Sequence, residues 1–325
     1  MLTPEQIKNR KNKITSSIAA ACLGLCDYTT PLQAALKARG ETEYLPPVNE
    51  DACERGDELE HTVLQWGAKK LGLTLVDAPY MEIDGWAGDS ADGLYVDGDG
   101  VEKALAEAKT AAAGVAAKYG DAGTDEVPEA CLVQSQWHLL FRPHIEVCYV
   151  PVLKGGYRMA FDLHPVHADK ELHELLLEEL HEFWRKYVDP SNPSRTLPPA
   201  DAGDDAYLKR RWPRHRDEDL IESDEIWEAL VRESHKAKEA LKAAETTEEA
   251  ASNRLRAALA DAAGVKGSWG KATYRKGKDK QKVDWKALAT EIAGGEVSDE
   301  LLSKHTVETP GSRSLLVRPR KGVWT

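Results

Sequence analysis

Three side chains that could bind a metal ion and act on a phosphate ester lie close together in the sequence. Asp92 stands in the segment Ser90-Ala91-Asp92-Gly93, and Glu107 and Lys109 follow in Glu107-Ala108-Lys109. Mg²⁺ prefers oxygen ligands and keeps several waters, so two carboxylates on neighbouring strands and a backbone carbonyl would suit it. Residues two apart in a strand share a face, so the Lys109 ammonium could steer a water beside Glu107. An ordinary ion pair on an edge strand would show the same pattern, and the motif alone leaves both interpretations open.

Other polar residues could complete such a site. Glu60, on a predicted helix, could bring a further carboxylate that holds water or a second metal ion. Gln134 and Gln136 lie on a helix among apolar residues, where buried amides need hydrogen-bond partners. The segment 14–17 (Ile-Thr-Ser-Ser) opens a helix just after Arg10, and exposed N–H groups at a helix start can bind an anion. Solvated or helix-capping roles would explain each of these residues equally well when it is taken singly.

Helices and short strands alternate around these residues. Hydrophobic spacing and the capping residue Asn49 predict a helix from about Asn49 to Leu71. Short β-rich runs from Leu73 to Lys109 predict three or four strands of one sheet, and 127–141 predicts the helix that carries the glutamines. The runs 144–153 and 156–164 alternate like paired strands. The first half of the chain is therefore predicted to be a mixed α/β fold.

Beyond Pro165 the chain is predicted to be mainly helical. One helix spans 170–188, and a long charged helix spans about 223–263, with Gly264 placed to end it and a possible break near Thr246 and Thr247. A basic β-hairpin, a helix and a last strand follow. We therefore predict a mixed α/β core over 1–165, a helical extension over 166–264 and a small basic module over 265–325.

Composition and charge exclude several classes of protein. The 325 residues hold no apolar run long enough for a membrane span, so a soluble protein without a membrane partner is expected. Five cysteines without a CxxC pair favour a reducing cytoplasm over a disulfide framework. No GxxxxGK[ST] loop is present, which argues against an NTPase motor. His138 and His144 are predicted to be packing or surface residues, because no matching Cys or His set accompanies them.

The net charge of −12 hides a basic C-terminal end. Residues 266–325 contain 13 Lys and Arg against 7 Asp and Glu. Basic residues are interleaved with aromatic ones at 209–216 and 269–282, a pattern that suits binding of a phosphate backbone without readout of bases. The candidates in the second cluster are Lys271, Arg275, Lys276, Lys278 and Lys280. A solvated hairpin would explain this cluster equally well.

The order of the motifs resembles the lambda-exonuclease and YqaJ-type viral recombinase nucleases of the PD-(D/E)xK superfamily. The matching series, over about residues 8–165, is Arg10, Ile14-Thr15-Ser16-Ser17, Gly56 with Glu60, Ser90-x-Asp92-Gly93, Glu107-x-Lys109 and Gln134-x-Gln136. The resemblance implies a restriction-endonuclease-like mixed sheet flanked by helices.

The resemblance also implies a role for each matching residue. Asp92, Glu107 and the Ala108 carbonyl would bind Mg²⁺, or Mn²⁺ in its place. Lys109 would activate or position the water, and Gln134 would orient Lys109 or the water. Glu60 would be an accessory carboxylate. The residues that bind the 5′-phosphate of DNA would be Arg10, Ser17 and Ser90, with Lys11 and Lys13 as alternatives for the basic residue. One departure is the longer segment between Asp92 and Glu107, which makes Glu102 a competing ligand; Glu107 is preferred because only it has Lys two residues later.

The expected function is that of a metal-dependent exonuclease on linear double-stranded DNA. The resemblance implies 5′ to 3′ degradation, which leaves 3′ single strands for a partner annealing protein, and a ring-shaped homo-oligomer around DNA. A phage-encoded enzyme of this kind would work in the host cytoplasm. Two alternatives stay open: an endonuclease on the same core, and a non-catalytic DNA-binding or assembly protein with a degenerate core.

Overall fold

The structure is a computed structural model in which most of the chain is described. The described residues are 9–155, 159–213, 222, 224–283, 285, 288, 299–304, 306–309 and 313–319. The chain divides into two compact units, residues 1–217 and residues 218–325. The first unit extends past residue 165, and the three-part division predicted from the sequence stays a prediction.

Six strands form the main sheet of the first unit. They are β2 (Thr74–Val76), β5 (Gly93–Val96), β6 (Glu102–Ala106), β7 (Lys109–Ala111), β8 (Val147–Lys154) and β9 (Ala160–His167). Strand β5 lies between β2 and β6 and is antiparallel to both. Strands β6 and β7 both run parallel to β8, and β9 pairs antiparallel with β8 along its whole length. The predicted mixed sheet and the predicted pairing of β8 with β9 are confirmed.

A second, three-stranded sheet in the same unit has the order β1, β4, β3. Its strands are β1 (Ile14–Thr15), β3 (Met81–Ile83) and β4 (Ala87–Asp89). Strand β1 pairs in parallel with β4, which places Thr15 next to Gly88. This pairing joins the start of the described chain to the segment that leads into Asp92. The expectation of three or four strands of one sheet over 73–109 is therefore wrong, because the segment contributes β2 to β6 and the start of β7 to two different sheets.

Helices surround the two sheets of the first unit. They are α1 (Ser16–Cys22), α2 (Pro31–Arg39), α3 (Glu50–Leu71), α4 (Ala113–Ala116), α5 (Glu129–Phe141), α6 (Lys170–Tyr187) and α7 (Asp205–Arg211). Helix α3 agrees with its predicted bounds because both ends are set locally. The Asn49 side chain accepts a hydrogen bond from the N–H of Ala52, and Gly72 adopts a left-handed conformation after the last turn.

Helix α5 passes through the core of the first unit. Trp137 on this helix is fully buried, and its indole N–H donates to the carbonyl of Gly88 at 3.0 Å. The ring of Trp86 packs edge-on against it, with 6.0 Å between centroids. Helices α1 and α6 contribute apolar side chains to the same cluster. This packing holds α5 in a defined rotation, so its polar residues face fixed neighbours.

The second unit contains one long helix and several short strands. These are α8 (Glu225–Leu259), β10 (Gly264–Gly267), β11 (Gly270–Lys276), β12 (Lys280–Val283), α9 (Asp299–Lys304), β13 (Thr306–Thr309) and β14 (Arg313–Pro319). The start expected near 223 falls on a residue outside the described ones; in the structure the Asp224 side chain caps the helix through the N–H of Trp227.

Two features expected of the long helix are wrong. The helix is continuous at Thr246 and Thr247, because their hydroxyls donate to the carbonyls four residues earlier and leave the helical backbone intact. It ends at Leu259, where Ala260 adopts a positive φ of 47°. Gly264 does not end the helix; it opens β10, where a Cβ atom would lie 2.3 Å from the carbonyl oxygen of Ala272.

The basic segment is divided between two sheets. Strand β11 pairs with β10 and β14, whereas β12 pairs with β13. The hairpin expected over 269–282 is therefore wrong: the hairpin partner of β11 is the preceding strand, β10. Most of the helix predicted after the hairpin lies outside the described residues. None of the described helices combines the length and the apolar character needed to cross a lipid bilayer.

Candidate active site

Strands β5 and β6 bring Asp92 and Glu107 opposite each other. Their antiparallel register pairs Gly93 with Ala106, so Asp92 and Glu107 are the next residues beyond this pair. Oδ2 of Asp92 accepts a hydrogen bond from the N–H of Ala108 at 2.9 Å. The two carboxylates are thus held together by the pairing of their strands and by a bond between their segments.

Glu107 and Ala108 connect β6 to β7, and the two strands continue in the same direction on either side of them. Both strands follow one register on β8, Ala106 opposite Tyr149 and Lys109 opposite Val152. The backbone therefore stays extended, and Nζ of Lys109 lies 2.5 Å from Oε1 of Glu107. The Glu107 side chain is 3% exposed and that of Lys109 26%. Lys109 opens β7, which among the described strands pairs with β8 alone, but Glu107 is buried, so the pair differs from a solvated ion pair on a surface strand.

Helix α5 supplies one partner to each member of this pair. Gln134 and His138 are four residues apart, so they share a face of the helix. Oε1 of Gln134 accepts a hydrogen bond from Nζ of Lys109 at 3.0 Å. Nε2 of His138 lies 3.0 Å from Oε2 of Glu107. The helix thus holds the acid through an imidazole and the lysine through an amide.

Gln136 faces away from these residues. Its amide nitrogen donates to the carbonyl of His167 at 2.7 Å, and its oxygen accepts from the N–H of Asp169 at 3.0 Å. The same oxygen lies 2.8 Å from Nε2 of His173. Gln136 therefore joins α5 to the segment that opens α6, and only the first glutamine of the predicted pair reaches the site.

A buried chain of charged side chains continues behind Glu107. Nδ1 of His138 lies 2.6 Å from Oδ1 of Asp89, and Nη1 of Arg142 donates to Oδ2 of Asp89 at 3.2 Å. Arg142 also donates to the carbonyl of Pro79 at 2.6 Å. His138 and Asp89 are fully buried, and Arg142 is 3% exposed. Negative and positive side chains alternate along this chain, so each charge has an opposite charge next to it. This pairing offsets the free energy that burial of a single charge would cost.

The surroundings shift the pKa values of the site in opposite directions. Burial raises the pKa of Asp92 well above its usual value, and the charge of Glu107 adds to this effect. Burial also opposes ionisation of Glu107, but the Lys109 charge and the His138 hydrogen bond outweigh it and lower the pKa of Glu107 to about 2. For Lys109, burial is outweighed by Glu107, and its pKa is raised.

The pKa of His138 is also set by opposing effects of burial and neighbouring charges. Burial alone would lower its pKa, but the charge and hydrogen bond of Asp89 prevail, together with Glu107, and raise the pKa to about 10. A ring with both nitrogens protonated can donate to a carboxylate on each side. The imidazolium is therefore the form that fits between Asp89 and Glu107.

Glu60 on α3 lies within electrostatic reach of these residues. Burial raises the pKa of Glu60, with smaller contributions from the charges of Glu107 and Asp57. Its own charge raises the pKa of Asp92 in turn. The charges of Glu60 and of the two other acids thus act on one another; the role of Glu60 at the site stays a prediction.

A cavity of about 510 Å³ opens beside Lys109. Its polar lining includes Ser16 and Ser17 from α1 and Lys109 with Gln134 from the acid-bearing side. Tyr119 and Cys131 form part of the apolar lining, with the Tyr119 hydroxyl 3.4 Å from the Cys131 sulfur. The cavity therefore joins the lysine to the start of α1, where Ser17 is exposed.

The three residues predicted to bind a 5′-phosphate are placed differently. Ser17 lines the cavity, whereas Arg10 and Ser90 are not among its lining residues. Arg10 lies before β1, close enough to Tyr80 for its charge to act on the hydroxyl of that residue. Ser90 follows β4 and leads into Asp92. The grouping of all three around one phosphate stays a prediction.

The donor set fits a hard divalent cation that keeps most of its waters. Within the described part of the chain, no group of three or more His, Cys, Asp or Glu side chains is arranged to hold a metal ion. Mg²⁺ is commonly bound by only one or two carboxylates with water and substrate oxygens. Asp92 and Glu107 provide two oxygen donors of this type, and the competing Glu102 lies at the other end of β6, bonded to His144 at 2.7 Å.

The basic residues predicted to contact DNA lie on the second unit. Lys271, Arg275 and Lys276 belong to β11 and Lys278 to the following turn, and all four are exposed. Lys276 pairs with Asp279 at 2.9 Å. Lys280 begins β12, and its side chain is outside the described ones.

The first part of the chain matches a known family. Residues 7–141 match the family model of the YqaJ-like viral recombinase domain. This stretch, which is less than half of the chain, is similar to that domain. It spans α1 to α5 and includes Glu60, Asp92, Glu107, Lys109 and Gln134. The predicted resemblance to this family is confirmed. The match supports the assignment of the chain to the nucleases.

Solved structures similar to the chain include two exonucleases. One is the alkaline exonuclease LHK-Exo from Laribacter hongkongensis, at 17% identity and a TM-score of 0.40, covering 56% of this chain and 90% of that one. Another is a phage-related exonuclease from Haemophilus somnus 129PT, at 15% identity and a TM-score of 0.38, covering 54% and 93%. No curated protein sequence matches the chain.

Sequence reasoning missed three residues around the YqaJ-like site. His138 was expected to be a packing or surface residue, yet it contacts Glu107 directly. Asp89 and Arg142 were not singled out. The available signal was the spacing of Gln134 and His138, which places them on one helical face.

Proposed function

We propose that the chain is a Mg²⁺-dependent exonuclease that degrades linear double-stranded DNA from the 5′ end. The observation that carries the proposal is the convergence of Asp92, Glu107 and Lys109 at one end of β5 and β6, with Lys109 held by Gln134. The YqaJ-like domain covers all four residues. Carboxylates beside a fixed ammonium are the groups that phosphodiester hydrolysis with a metal ion requires.

The contacts of the Lys109 ammonium hold it in one position, so it is suited to positioning a water or a phosphate oxygen. An ammonium has three N–H donors. Glu107 and Gln134 take two of them, at 2.5 and 3.0 Å, which fixes the direction of the third. That donor is directed to the attacking water or to a phosphate oxygen. Preorganised donors of this kind contribute most when the charge on the phosphate rises.

Asp92, Glu107 and the carbonyl of Ala108 would hold the metal ion, and Glu60 would hold a water or a second ion. When bound, the ion would polarise the scissile phosphate and lower the pKa of a water. The hydrogen bond from Ala108 to Asp92 keeps one acid in place, and the contacts of Lys109 and His138 keep the other.

The proposed direction of degradation depends on where a 5′-phosphate binds. We propose that Ser17, which lines the cavity beside Lys109, binds this phosphate together with Arg10 and Ser90, which lie outside the cavity lining. The products would be short nucleotides and a 3′ single strand, the substrate of an annealing protein. A homo-oligomeric ring would keep the enzyme on DNA. All five cysteines are free thiols, which is compatible with work in a host cytoplasm.

The test is digestion of end-labelled linear duplex, with and without a 5′-phosphate, in Mg²⁺ or in chelator. We expect metal-dependent release of label from the 5′ end, faster with the phosphate, and no digestion of closed circles. Glu107→Gln should reduce the rate by at least about 10³-fold, since it removes a ligand from the site. Glu102→Gln, at the other end of β6, is the matched control, with an expected change below about twofold. If closed circles were digested, the enzyme would be an endonuclease and the proposed exonuclease activity would be wrong. An unchanged rate of digestion by Glu107→Gln would refute the assigned site.

A further inference from the structure

We infer that His138 is a positioning residue that holds the Glu107 carboxylate in its metal-binding orientation, with Asp89 and Arg142 as its anchor. The inference rests on the proposed function, because it assigns Glu107 to the metal ion. It goes beyond that function by naming a further residue on which metal binding depends.

The two oxygens of Glu107 are held by different elements. Oε1 lies 2.5 Å from the Lys109 ammonium, two residues along the same chain. Oε2 lies 3.0 Å from Nε2 of His138, which belongs to helix α5. Contact at both oxygens sets the plane of the carboxylate as well as its position. Removal of His138 would leave Lys109 to hold one oxygen while the carboxylate turned about its own axis.

His138 is itself anchored from behind. Its second nitrogen lies 2.6 Å from Asp89, and Asp89 accepts from Arg142 through its other oxygen. Arg142 is tied to the backbone at Pro79. Since Asp89 ends β4 and Arg142 follows α5, the chain of contacts joins helix, small sheet and main sheet to one metal-binding acid.

Packing alone would not call for this chain of charges. The neighbours of His138 on α5, Trp137 and Leu139, are fully buried and fill the core with rings and methyl groups. An ion pair in the interior is often no more stable than apolar residues of similar volume. Hydrogen bonds to the ligands of a metal site change metal affinity or activity by about 10- to 100-fold when they are lost. The polar chain therefore has a role that apolar packing could not fill.

Two substitutions separate positioning from packing because they keep different halves of the imidazole. In His138→Gln the longer side chain brings its amide nitrogen near the place of Nε2, so the donor to Glu107 is retained. In His138→Asn the amide nitrogen replaces Nδ1, so the bond to Asp89 is retained and the one to Glu107 is lost. A positioning role ranks the glutamine variant above the asparagine variant, and a purely structural role reverses this order.

The measurements are Mn²⁺ affinity of the DNA-free full chain by calorimetry, kcat and KM on linear duplex, and the melting temperature. For His138→Asn we expect Mn²⁺ binding weakened about 10- to 100-fold and kcat reduced by a similar factor, with KM for DNA within about twofold. For His138→Gln we expect both within about threefold of the parental chain. Parental values for His138→Asn, or equal losses in both variants that follow the melting temperature, would overturn the inference.

A measurement on the unaltered chain covers the case in which neither variant folds. Nitrogen NMR of labelled histidine should show the Nε2 resonance of His138 shifting as Mg²⁺ is added, with saturation at the concentration that saturates metal binding. A resonance that does not move while Mg²⁺ binds would overturn the inference. A parental chain that binds no Mn²⁺ and digests no DNA would instead remove the proposed function, and the inference with it.

Discussion

Replacement of Asp89 by asparagine should destabilise the first unit although the two side chains have nearly the same shape. Each carboxylate oxygen of Asp89 has its own partner, His138 at 2.6 Å and Arg142 at 3.2 Å. An amide has one acceptor oxygen, so in either orientation its NH₂ group faces a donor. The substitution therefore breaks one contact and leaves a positive charge without its counter-charge in the interior.

The size of the effect follows from burial. Asp89 is fully buried and Arg142 is 3% exposed, so loss of the shared charge falls in the class of broken buried ion pairs, which cost about 3–5 kcal/mol. Arg142 keeps its bond to the carbonyl of Pro79, which favours the lower end, about 3 kcal/mol. For a unit of 217 residues this corresponds to a melting temperature lower by about 6–12 °C.

The assay is urea and thermal unfolding followed by tryptophan fluorescence, to which Trp86 and Trp137 in this core contribute. Asp99→Asn is the control, because Asp99 is an exposed turn residue and its replacement should change the free energy of unfolding by less than about 0.5 kcal/mol. If Asp89→Asn lowered the free energy of unfolding by less than about 1 kcal/mol, the buried chain of charges would not have the energetic role assigned to it here.

Three further outcomes are expected. Gly67→Ala should lower the free energy of unfolding by about 1–3 kcal/mol, because the added Cβ atom would lie 2.3 Å from the Tyr95 hydroxyl. The control is Gly56→Ala on the same helix: its Cβ atom would have no neighbour within 4 Å, so the free energy of unfolding should be unchanged or higher. Gln134→Ala should reduce kcat on linear duplex by about 10- to 100-fold with DNA affinity unchanged, and parental turnover would contradict its contact with Lys109. Charge reversal of Lys276 and Lys278 should lower the slope of log affinity for DNA against log salt by about 2, and an identical slope would exclude this turn from the DNA path.

Elements whose signals are local were predicted from the sequence. Helix α3 begins after Asn49 and ends before Gly72, since a capping side chain and a left-handed glycine act on the adjacent turn only. The contact of Glu107 with Lys109 is equally local, because alternation along an extended chain puts residues two apart on one side. The order of the acid, lysine and glutamine motifs was enough to predict the family.

Features that depend on distant partners were missed or wrong. The spacing of Gln134 and His138 puts both on one helical face, but it does not identify Glu107 and Asp89, which lie 31 and 49 residues away, as the partners of His138. The pairing of β11 with β10 and β14 rather than with β12 likewise depends on a strand far along the chain. The break expected near Thr246 failed for the opposite reason: a threonine in mid-helix can satisfy its hydroxyl on the helix itself.

By itself, the sequence determined which chemical groups are present, their spacing, and the helices and strands that carry most of them, because caps, periodicity and alternation act between near neighbours. Only the tertiary structure decided that Gln134 would face the site and Gln136 turn away, and that an imidazole would lie between two carboxylates. The physical reason is that these contacts are set by the rotation of α5 in its core. That rotation depends on the packing of Trp137 against Trp86 and Gly88, residues about fifty positions away in the chain.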